Sequence, residues 1–259
     1  MIDLYEIPSL VLCAVLVVAL LGSIEAGQLI GRRTREADWD ASSGAFLTLS
    51  SAAMALLGLL LAFSFSMSVT RHDDRQTLTL REANNIGTAY LRTDLLQPEA
   101  AQRTRLIFRS YVDERINYHL ASHDAQAVRA SLSKAQAMQN QIWATITNAD
   151  NYREPKSISL SLLVSSVNDM IDVSGEREFA RQNRVPSAVI WLLFVVTLVS
   201  GALAGYAFGA KRQRNWLAFI GFTVMISIVI YTILDLDRPR RGLIQVDQAA
   251  MLALKAGLR

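Results

Sequence analysis

The sequence predicts an all-α integral membrane protein with four transmembrane helices and a helical soluble insert. Two apolar spans lie toward each end of the chain, at about residues 8–30 and 44–69, and at about 187–210 and 216–234. Each has about the length that crosses the hydrocarbon core of a bilayer. Residues 70–185, between the two pairs, are polar and carry most of the charge. We therefore expect two transmembrane hairpins joined by a soluble domain that is continuous with the second span.

The first span has the features of a retained membrane helix. Its leader carries Asp3 and Glu6 and no lysine or arginine, the reverse of a signal peptide. Glu25 interrupts the apolar pattern near the end of the span. This glutamate either lies in the hydrocarbon, where it needs a partner, or lies at headgroup level beside Arg32 and Arg33. Residues 38–43 are expected to form a short loop before the second span.

Small residues share one face of the second span and one face of the third. In the third span, Gly201, Gly205 and Gly209 form two overlapping GxxxG steps. Small side chains let two helices approach closely in lipid, so both faces predict helix packing and oligomerisation. A pore-lining role for the third-span glycines is the alternative. The face of the second span consists of Ser51, Ala55, Gly58, Ala62 and Ser66.

The insert has apolar residues at helical spacing, and its sequence shows no sustained alternation typical of strands. The second span continues without a helix breaker to Leu96, and Pro98 ends it. Pro186 either opens a new helix before the third span or kinks a continuous one. The predicted helices that follow the second span lie at about 99–122, 124–148 and 156–184.

The C-terminal tail, residues 236–259, is polar and ends in a short amphipathic segment. Met251, Leu254 and Leu258 share one face of this segment. We expect a helix that either lies at the membrane interface or docks on the rest of the chain.

Two features of the spans are compatible with ion transport. Phe63, Phe65 and Ser66 end the second span, and a ring of such helices could bring one phenyl group per subunit to a hydrophobic constriction. The alternative is that these phenylalanines face lipid or pack. Asp235 and Asp237 end the fourth span and could bind a cation through carboxylate oxygens. Their alternative partners are the neighbouring cations Arg238, Arg240 and Arg241.

Other chemistry is not indicated by the sequence. His119 and His123 have the spacing of two ligands on one helix face, but no further ligand shares that face, so exposed histidines are the simpler interpretation. Cys13 is the single cysteine, which excludes a disulfide within the chain. The net charge of +3 comes from arginines beside the spans and not from a basic stripe, so nucleic acid is not an expected partner. The sequence contains no motif of a catalytic nucleophile, and we expect no enzyme, no cofactor and no metal site.

The charges beside the spans leave the orientation open. An even number of spans puts the insert and both termini on one side. Acids before the first span and arginines after it favour an outside N-terminus. The whole-chain count favours the opposite, since nine cationic residues lie near the span ends on the insert side and six lie in the two short loops. The six are Arg32, Arg33, Arg35, Lys211, Arg212 and Arg214.

Three strings carry a resemblance to a known family: LLGLLLAFSFSM at 56–67, REANNIGTAYLRTDLL at 81–96 and LDLDRPRRG at 234–242. With the arrangement of two spans at each end, they resemble the bacterial bestrophin-like membrane proteins. Bestrophins are pentameric anion channels with four spans per subunit and cytosolic helices. In them the second span lines the pore and carries a hydrophobic neck, for which Phe63 and Phe65 are the nearest equivalents here.

The resemblance implies a homo-oligomer in the bacterial inner membrane, with chloride or another anion as the permeant ion and with the insert and termini in the cytoplasm. The acidic calcium clasp of bestrophins follows the fourth span, where this chain offers only Asp235 and Asp237. Calcium gating is therefore not expected. The alternative function is a non-conducting membrane-anchored sensor or scaffold whose helical domain binds a ligand or partner.

Overall fold

Helices account for nearly all of the described chain, and their order follows the predicted spans. The computed structural model describes residues 7–34, 36–121, 124–148, 151–152, 157–238 and 243–258. Four helical segments are long and apolar enough to cross a membrane. The helices are α1 (Ser9–Gly31), α2 (Glu36–Arg92), α3 (Pro98–Leu120), α4 (Ala125–Ile146), α5 (Ser157–Gln182), α6 (Ser187–Ala210), α7 (Trp216–Leu236) and α8 (Ala249–Gly257), with a 3-10 turn at Thr93–Leu95.

Helix α2 begins eight residues before Gly44, so residues 38–43, which were expected to form a loop, are helical. No proline lies between Glu36 and Gln97, so nothing in this stretch interrupts the backbone hydrogen bonds of a helix. Pro98 then occupies the first turn of α3, where its missing N–H costs nothing.

The chain divides into two compact units. The membrane unit consists of Met1–Thr70 and Arg184–Arg238, and the soluble unit consists of Arg71–Asn183 and Pro239–Arg259. Helix α2 contributes residues to both. Helix α5 ends at Gln182, and Pro186 stands as the N-cap of α6, so this proline opens a new helix.

Within the membrane unit, α1 and α6 pack with their backbones almost in contact. A Cβ atom built at Gly205 would overlap the carbonyl oxygen of Ile24, and one built at Gly209 would overlap that of Gln28. At Gly201 the nearest atom is Leu20 Cδ1, at 2.5 Å. The glycines of the third span therefore pack against the first span of the same chain, and this face is not open to a second subunit.

The soluble unit has one apolar core, built by α2, α3, α4, α5 and α8. Ile86, Phe108, Ile142 and Met170 are fully buried in it. Met251 of α8 is fully buried in the same core, so the C-terminal helix docks on the soluble unit. Lys255 of α8 also lies 2.7 Å from a carboxylate oxygen of Asp113.

Candidate functional site

Helix α2 is the least buried of the four spans. Only 11% of the most apolar stretch of α2 is buried, against 28%, 33% and 39% for the stretches in the first, third and fourth spans. Its buried side chains lie on one stripe, formed by Leu57, Leu61, Ser64 and Ser68. The two leucines pack with residues of the other three spans. The remaining positions of this apolar stretch are exposed or half-buried in the part of the protomer that the structure describes.

The phenylalanines predicted to form a constriction lie on different faces of α2. Side chains two positions apart in an α-helix point in directions about 200° apart around the helix, so Phe63 and Phe65 cannot both point at the axis of one pore. Phe63 is 63% exposed and lies opposite the buried stripe, on the same side as Ser66 and Leu59. Phe65 is 41% exposed and lies nearer to α7. The sequence predicts one phenyl group per subunit at the constriction but does not say which of the two phenylalanines supplies it.

An open apolar groove runs between α2 and α7, with an empty volume of about 1020 Å³. Gly58, Ala62 and Phe65 line its α2 side, and Phe222 and Met225 are among the residues on its α7 side. A Cβ atom built at Gly58 would meet nothing within 4 Å. The small residues of α2 therefore border a groove that the described part of this chain does not fill.

The two aspartates at the end of the fourth span are buried in the protein. Asp235 and Asp237 are 0% and 1% exposed. A carboxylate oxygen of Asp237 accepts a hydrogen bond of 2.9 Å from the backbone N–H of Val185. Across the described residues, no three His, Cys, Asp or Glu side chains come together as a metal site would require. Arg238, one suggested partner of these aspartates, is itself buried, at 5% exposed. The other two, Arg240 and Arg241, lie outside the described residues, as does His123.

Glu25 has a partner in the structure, but not either of the arginines that the sequence suggested. A terminal nitrogen of Arg214 lies 3.3 Å from both carboxylate oxygens of Glu25. The guanidinium of Arg214 also stacks over the ring of Trp216, at 4.3 Å from its centroid. Arg214 lies in the short basic loop before α7, so this ion pair marks the end of the first span.

A buried ion triad lies at the centre of the soluble unit. Glu82 of α2 is fully buried, and its two oxygens accept hydrogen bonds from Arg115 of α3 at 2.5 and 3.1 Å. Arg177 of α5 donates to the same carboxylate at 2.6 Å and to the side-chain oxygen of Gln248 at 3.0 Å. One carboxylate thus ties together three helices and the chain segment before α8.

The triad controls the protonation of its neighbourhood. Burial by itself would raise the pKa of Glu82, but the guanidinium groups of Arg115 and Arg177 outweigh it and hold the pKa of that carboxyl below its ordinary value. Burial, together with the Glu82 carboxylate, raises the pKa of Tyr111 to about 12. Glu82 is therefore ionised, and Tyr111 neutral, at any physiological pH.

The three residues of this triad were not among the predicted site residues, although the sequence contains a signal for them. Glu82 occurs among the buried positions Ala83 and Ile86, and Arg115 occurs beside Val112 and Ile116. A charged residue on the apolar face of a helix requires a partner, because an isolated buried charge is very costly. Two such residues of opposite sign on neighbouring helices predict a pair.

These observations define a class: a helical membrane protein with two transmembrane hairpins, a largely exposed second span and a soluble helical unit that contains a buried ion triad. The Bestrophin-like domain family matches residues 12–251, so the chain belongs to the bestrophin-like family. No curated protein matches the chain by sequence.

Solved structures share the fold. A variant of the bacterial bestrophin homologue from Klebsiella pneumoniae is similar with a TM-score of 0.68 at 16% identity, over 94% of this chain and 97% of that one. Another structure of the Klebsiella homologue has a TM-score of 0.61 at 15% identity, over 93% and 96% of the two chains. A structure described only as a membrane protein has a TM-score of 0.60 at 16% identity, over 94% and 97%. At these identities the likeness shows the fold alone.

Proposed function

We propose that the protein is an oligomeric membrane channel that passes anions, with the exposed face of α2 lining the pore. The observation that carries this proposal is the low burial of the apolar stretch of α2, 11%, in a protomer whose other spans pack together. A helix with that exposure faces either lipid or other subunits. A ring of subunits would cover it and would place one copy of its free face at the axis.

The composition of that face suits a pore with a hydrophobic constriction. Thr48, Ser66 and Thr70 are exposed, and successive multiples of 100° per residue put them on the same side of α2 as Phe63 and Leu59. Hydroxyl groups at both ends would border water, and the two large apolar side chains between them would form a neck that gates by dewetting. Residues 48–70 contain no charged side chain, so nothing in this neck repels an anion.

The groove between α2 and α7 supports assembly through the remaining α2 surface. Gly58 and Ala62 would let a helix of the next subunit approach closely, as small residues do in lipid. Phe65 borders this groove and would contact the neighbouring subunit instead of the pore. The anion preference is supported by family membership, since bestrophins are anion channels.

Chloride flux through liposomes that contain the purified protein tests the proposal. Phe63→Ala removes the phenyl group from the proposed neck and is expected to raise the flux. Phe65→Ala removes an identical group from the other face of the same helix turn, so it serves as the matched control. We expect its chloride flux to stay near that of the unaltered protein. Equal effects of the two variants, or no flux from either variant or the wild type, would count against a pore on the Phe63 face.

A reversal potential measured across a salt gradient tests the permeant class separately. We expect a reversal potential near the equilibrium potential of chloride. Exposed acids, Asp73 and Asp74, follow the neck in the sequence. A potential near that of the cation would overturn the anion assignment and would make neutralisation of these two aspartates the next experiment.

The proposed location is the bacterial inner membrane with the soluble unit in the cytoplasm, which the nine-to-six count of cations supports. Because the chain has a single native cysteine, labelling of an introduced thiol can test this orientation. In a Cys13→Ala background, Arg129→Cys would place a thiol on the exposed surface of α4. A membrane-impermeant maleimide should label it in lysed cells but not in intact spheroplasts. Labelling in intact spheroplasts would reverse the orientation.

A non-conducting sensor or scaffold is the second candidate. A cationic cavity in the soluble unit favours it, since such a cavity could take a ligand without any pore. A monomer or dimer without flux would support this candidate, whereas a ring of four or more subunits would support the channel.

A further inference from the structure

Three of the seven residues that line a cavity in the soluble unit are arginines. The cavity has an empty volume of about 310 Å³, part of it open to solvent. Helices α2, α3 and α5 each contribute two lining residues, and Val246 contributes from the segment before α8. The six helical residues are Arg75, Thr79, Tyr118, His119, Arg177 and Arg181. None of these described lining residues is acidic.

Two of the arginines are buried in the wall. Arg75 and Arg177 are 4% and 7% exposed. Arg75 donates to the backbone carbonyl oxygens of Ala180 and Asn183, at 3.1 and 2.9 Å, and so binds the C-terminal end of α5. Such bonds fix the guanidinium in place before any ligand arrives, which lowers the entropy cost of binding.

The carboxylates beside the cavity are shared or already engaged. Glu82 balances both Arg115 and Arg177, so one negative charge faces two positive charges. Glu178 accepts hydrogen bonds from Arg181 through Nε and Nη2, and from the hydroxyl of Tyr118. Burying an excess of positive charge is costly unless an anion compensates for it.

The arginines supply the donors that remain for an anion, because Thr79 donates its hydroxyl to the carbonyl oxygen of Arg75 and Tyr118 donates its hydroxyl to Glu178. Each guanidinium carries five N–H groups, and the bonds of Arg177 and Arg181 to their protein partners leave several of these N–H groups over. Planar guanidinium groups bind tetrahedral and carboxylate oxyanions through paired N–H donors.

The donor set favours a polyatomic oxyanion over a halide, because N–H groups on different guanidinium groups can each bind a separate oxygen of one anion. We propose that this cavity binds a phosphate-type oxyanion through Arg75, Arg177 and Arg181, with His119 at its rim. The phosphate group comes either from a free soluble anion or from the headgroup of a phosphomonoester lipid.

The site is distinct from the proposed pore and couples to the C-terminal segment. Arg177 donates to Gln248, and Val246 closes one wall of the cavity. An anion that binds Arg177 therefore stabilises the segment that leads into α8. Hydrogen exchange of peptides that cover residues 243–258 should slow when the site is filled.

Binding of inorganic phosphate to the purified full-length protein in detergent tests the proposal. Calorimetric titrations are run at constant ionic strength, with chloride as the compensating anion. Arg181→Gln is expected to raise the Kd for phosphate by about tenfold or more, the loss expected when one charge-assisted contact is removed. Arg129→Gln, at an exposed arginine of α4 outside the cavity, should leave the Kd unchanged.

A second cavity variant and a lipid experiment complete the test. His119→Gln, at a half-buried rim position, replaces Arg181→Gln if the latter fails to fold, and it should also weaken binding. Protein reconstituted in phosphatidylcholine vesicles, with and without phosphatidic acid, tests the lipid source through protection of residues 243–258. Binding of phosphate or protection by phosphatidic acid, lost in the cavity variants, supports the site. Chloride that binds as well as phosphate, binding that survives both variants, or no response in either arm would overturn it.

Discussion

The buried triad gives the sharpest energetic prediction. Glu82→Gln keeps the size of the side chain and one acceptor oxygen but removes the charge that Arg115 and Arg177 share. The amide NH2 cannot accept a hydrogen bond, so at least one of the three bonds of 2.5 to 3.1 Å from the arginines is lost, and two buried guanidinium groups lose their counter-charge. Removing one partner of a buried pair costs about 3–5 kcal/mol. We take about 3 kcal/mol because glutamine still accepts one hydrogen bond.

Hydrogen exchange measured by mass spectrometry locates this effect in the soluble unit. A loss of about 3 kcal/mol corresponds to roughly a hundredfold faster exchange of the most protected amides of α3 and α5, since each 1.4 kcal/mol is a factor of about ten. Peptides from α1 and α6 should exchange as before, because these helices belong to the membrane unit.

An exposed ion pair in the same unit is the control. Arg81 and Glu176 lie 3.1 Å apart, with side chains 53% and 49% exposed. Such a pair contributes about 1 kcal/mol at most, so Glu176→Gln should speed exchange by no more than about fivefold. If Glu82→Gln exchanged like the wild type, or if both variants behaved alike, the triad would not be what holds the soluble unit together.

Three further predictions concern packing and pH. Gly205→Ala should lower the Tm of the purified protein because its Cβ would overlap a carbonyl oxygen of α1. Gly221→Ala is the control and should leave the Tm unchanged, since nothing lies within 4 Å of its Cβ. Equal Tm values for the two variants would contradict the close contact between α1 and α6. Gly58→Leu fills the α2–α7 groove and should reduce the native mass of the detergent-extracted protein, and an unchanged mass would argue against assembly through that groove. Burial opposes ionisation of Glu178, but hydrogen bonds from Arg181 and neighbouring groups lower its pKa from 4.5 to about 2. The resulting stabilisation is present above pH 4.5 and is lost as the pH falls toward about 2. Acid unfolding followed by far-UV circular dichroism should therefore be less steep in this pH window for Glu178→Gln. An unaltered acid profile would show that this carboxyl does not contribute to stability.

The transmembrane helices could be predicted from the sequence because the hydrocarbon core of a bilayer strongly constrains the segments that cross it. A backbone in hydrocarbon must satisfy its hydrogen bonds internally, so long apolar runs become helices. Family resemblance and fold class followed from the same runs and from the strings at 56–67 and 81–96, and both were confirmed. The start of α2 was predicted wrongly because polar residues 38–43 resemble a loop in composition although nothing in them breaks a helix.

Contacts between distant segments were harder to predict. The glycines of the third span signalled a close helix contact, but periodicity cannot say whether the partner helix belongs to the same chain. The structure identifies α1 as that partner. The arginine-lined cavity was equally hidden, because Arg75, His119 and Arg177 lie far apart in sequence and converge only when three helices pack. The separation of Phe63 from Phe65, in contrast, follows from helix geometry alone.

The proposed pore requires several subunits that surround one axis with the exposed face of α2. Electron cryo-microscopy of the detergent-extracted protein, at a detail that shows the helices, tests it most directly. We expect a closed ring of four or more subunits with α2 innermost and Phe63 directed at the axis. A monomer, a dimer without an axial opening, or a ring with α2 on its outer, lipid-facing side would contradict it.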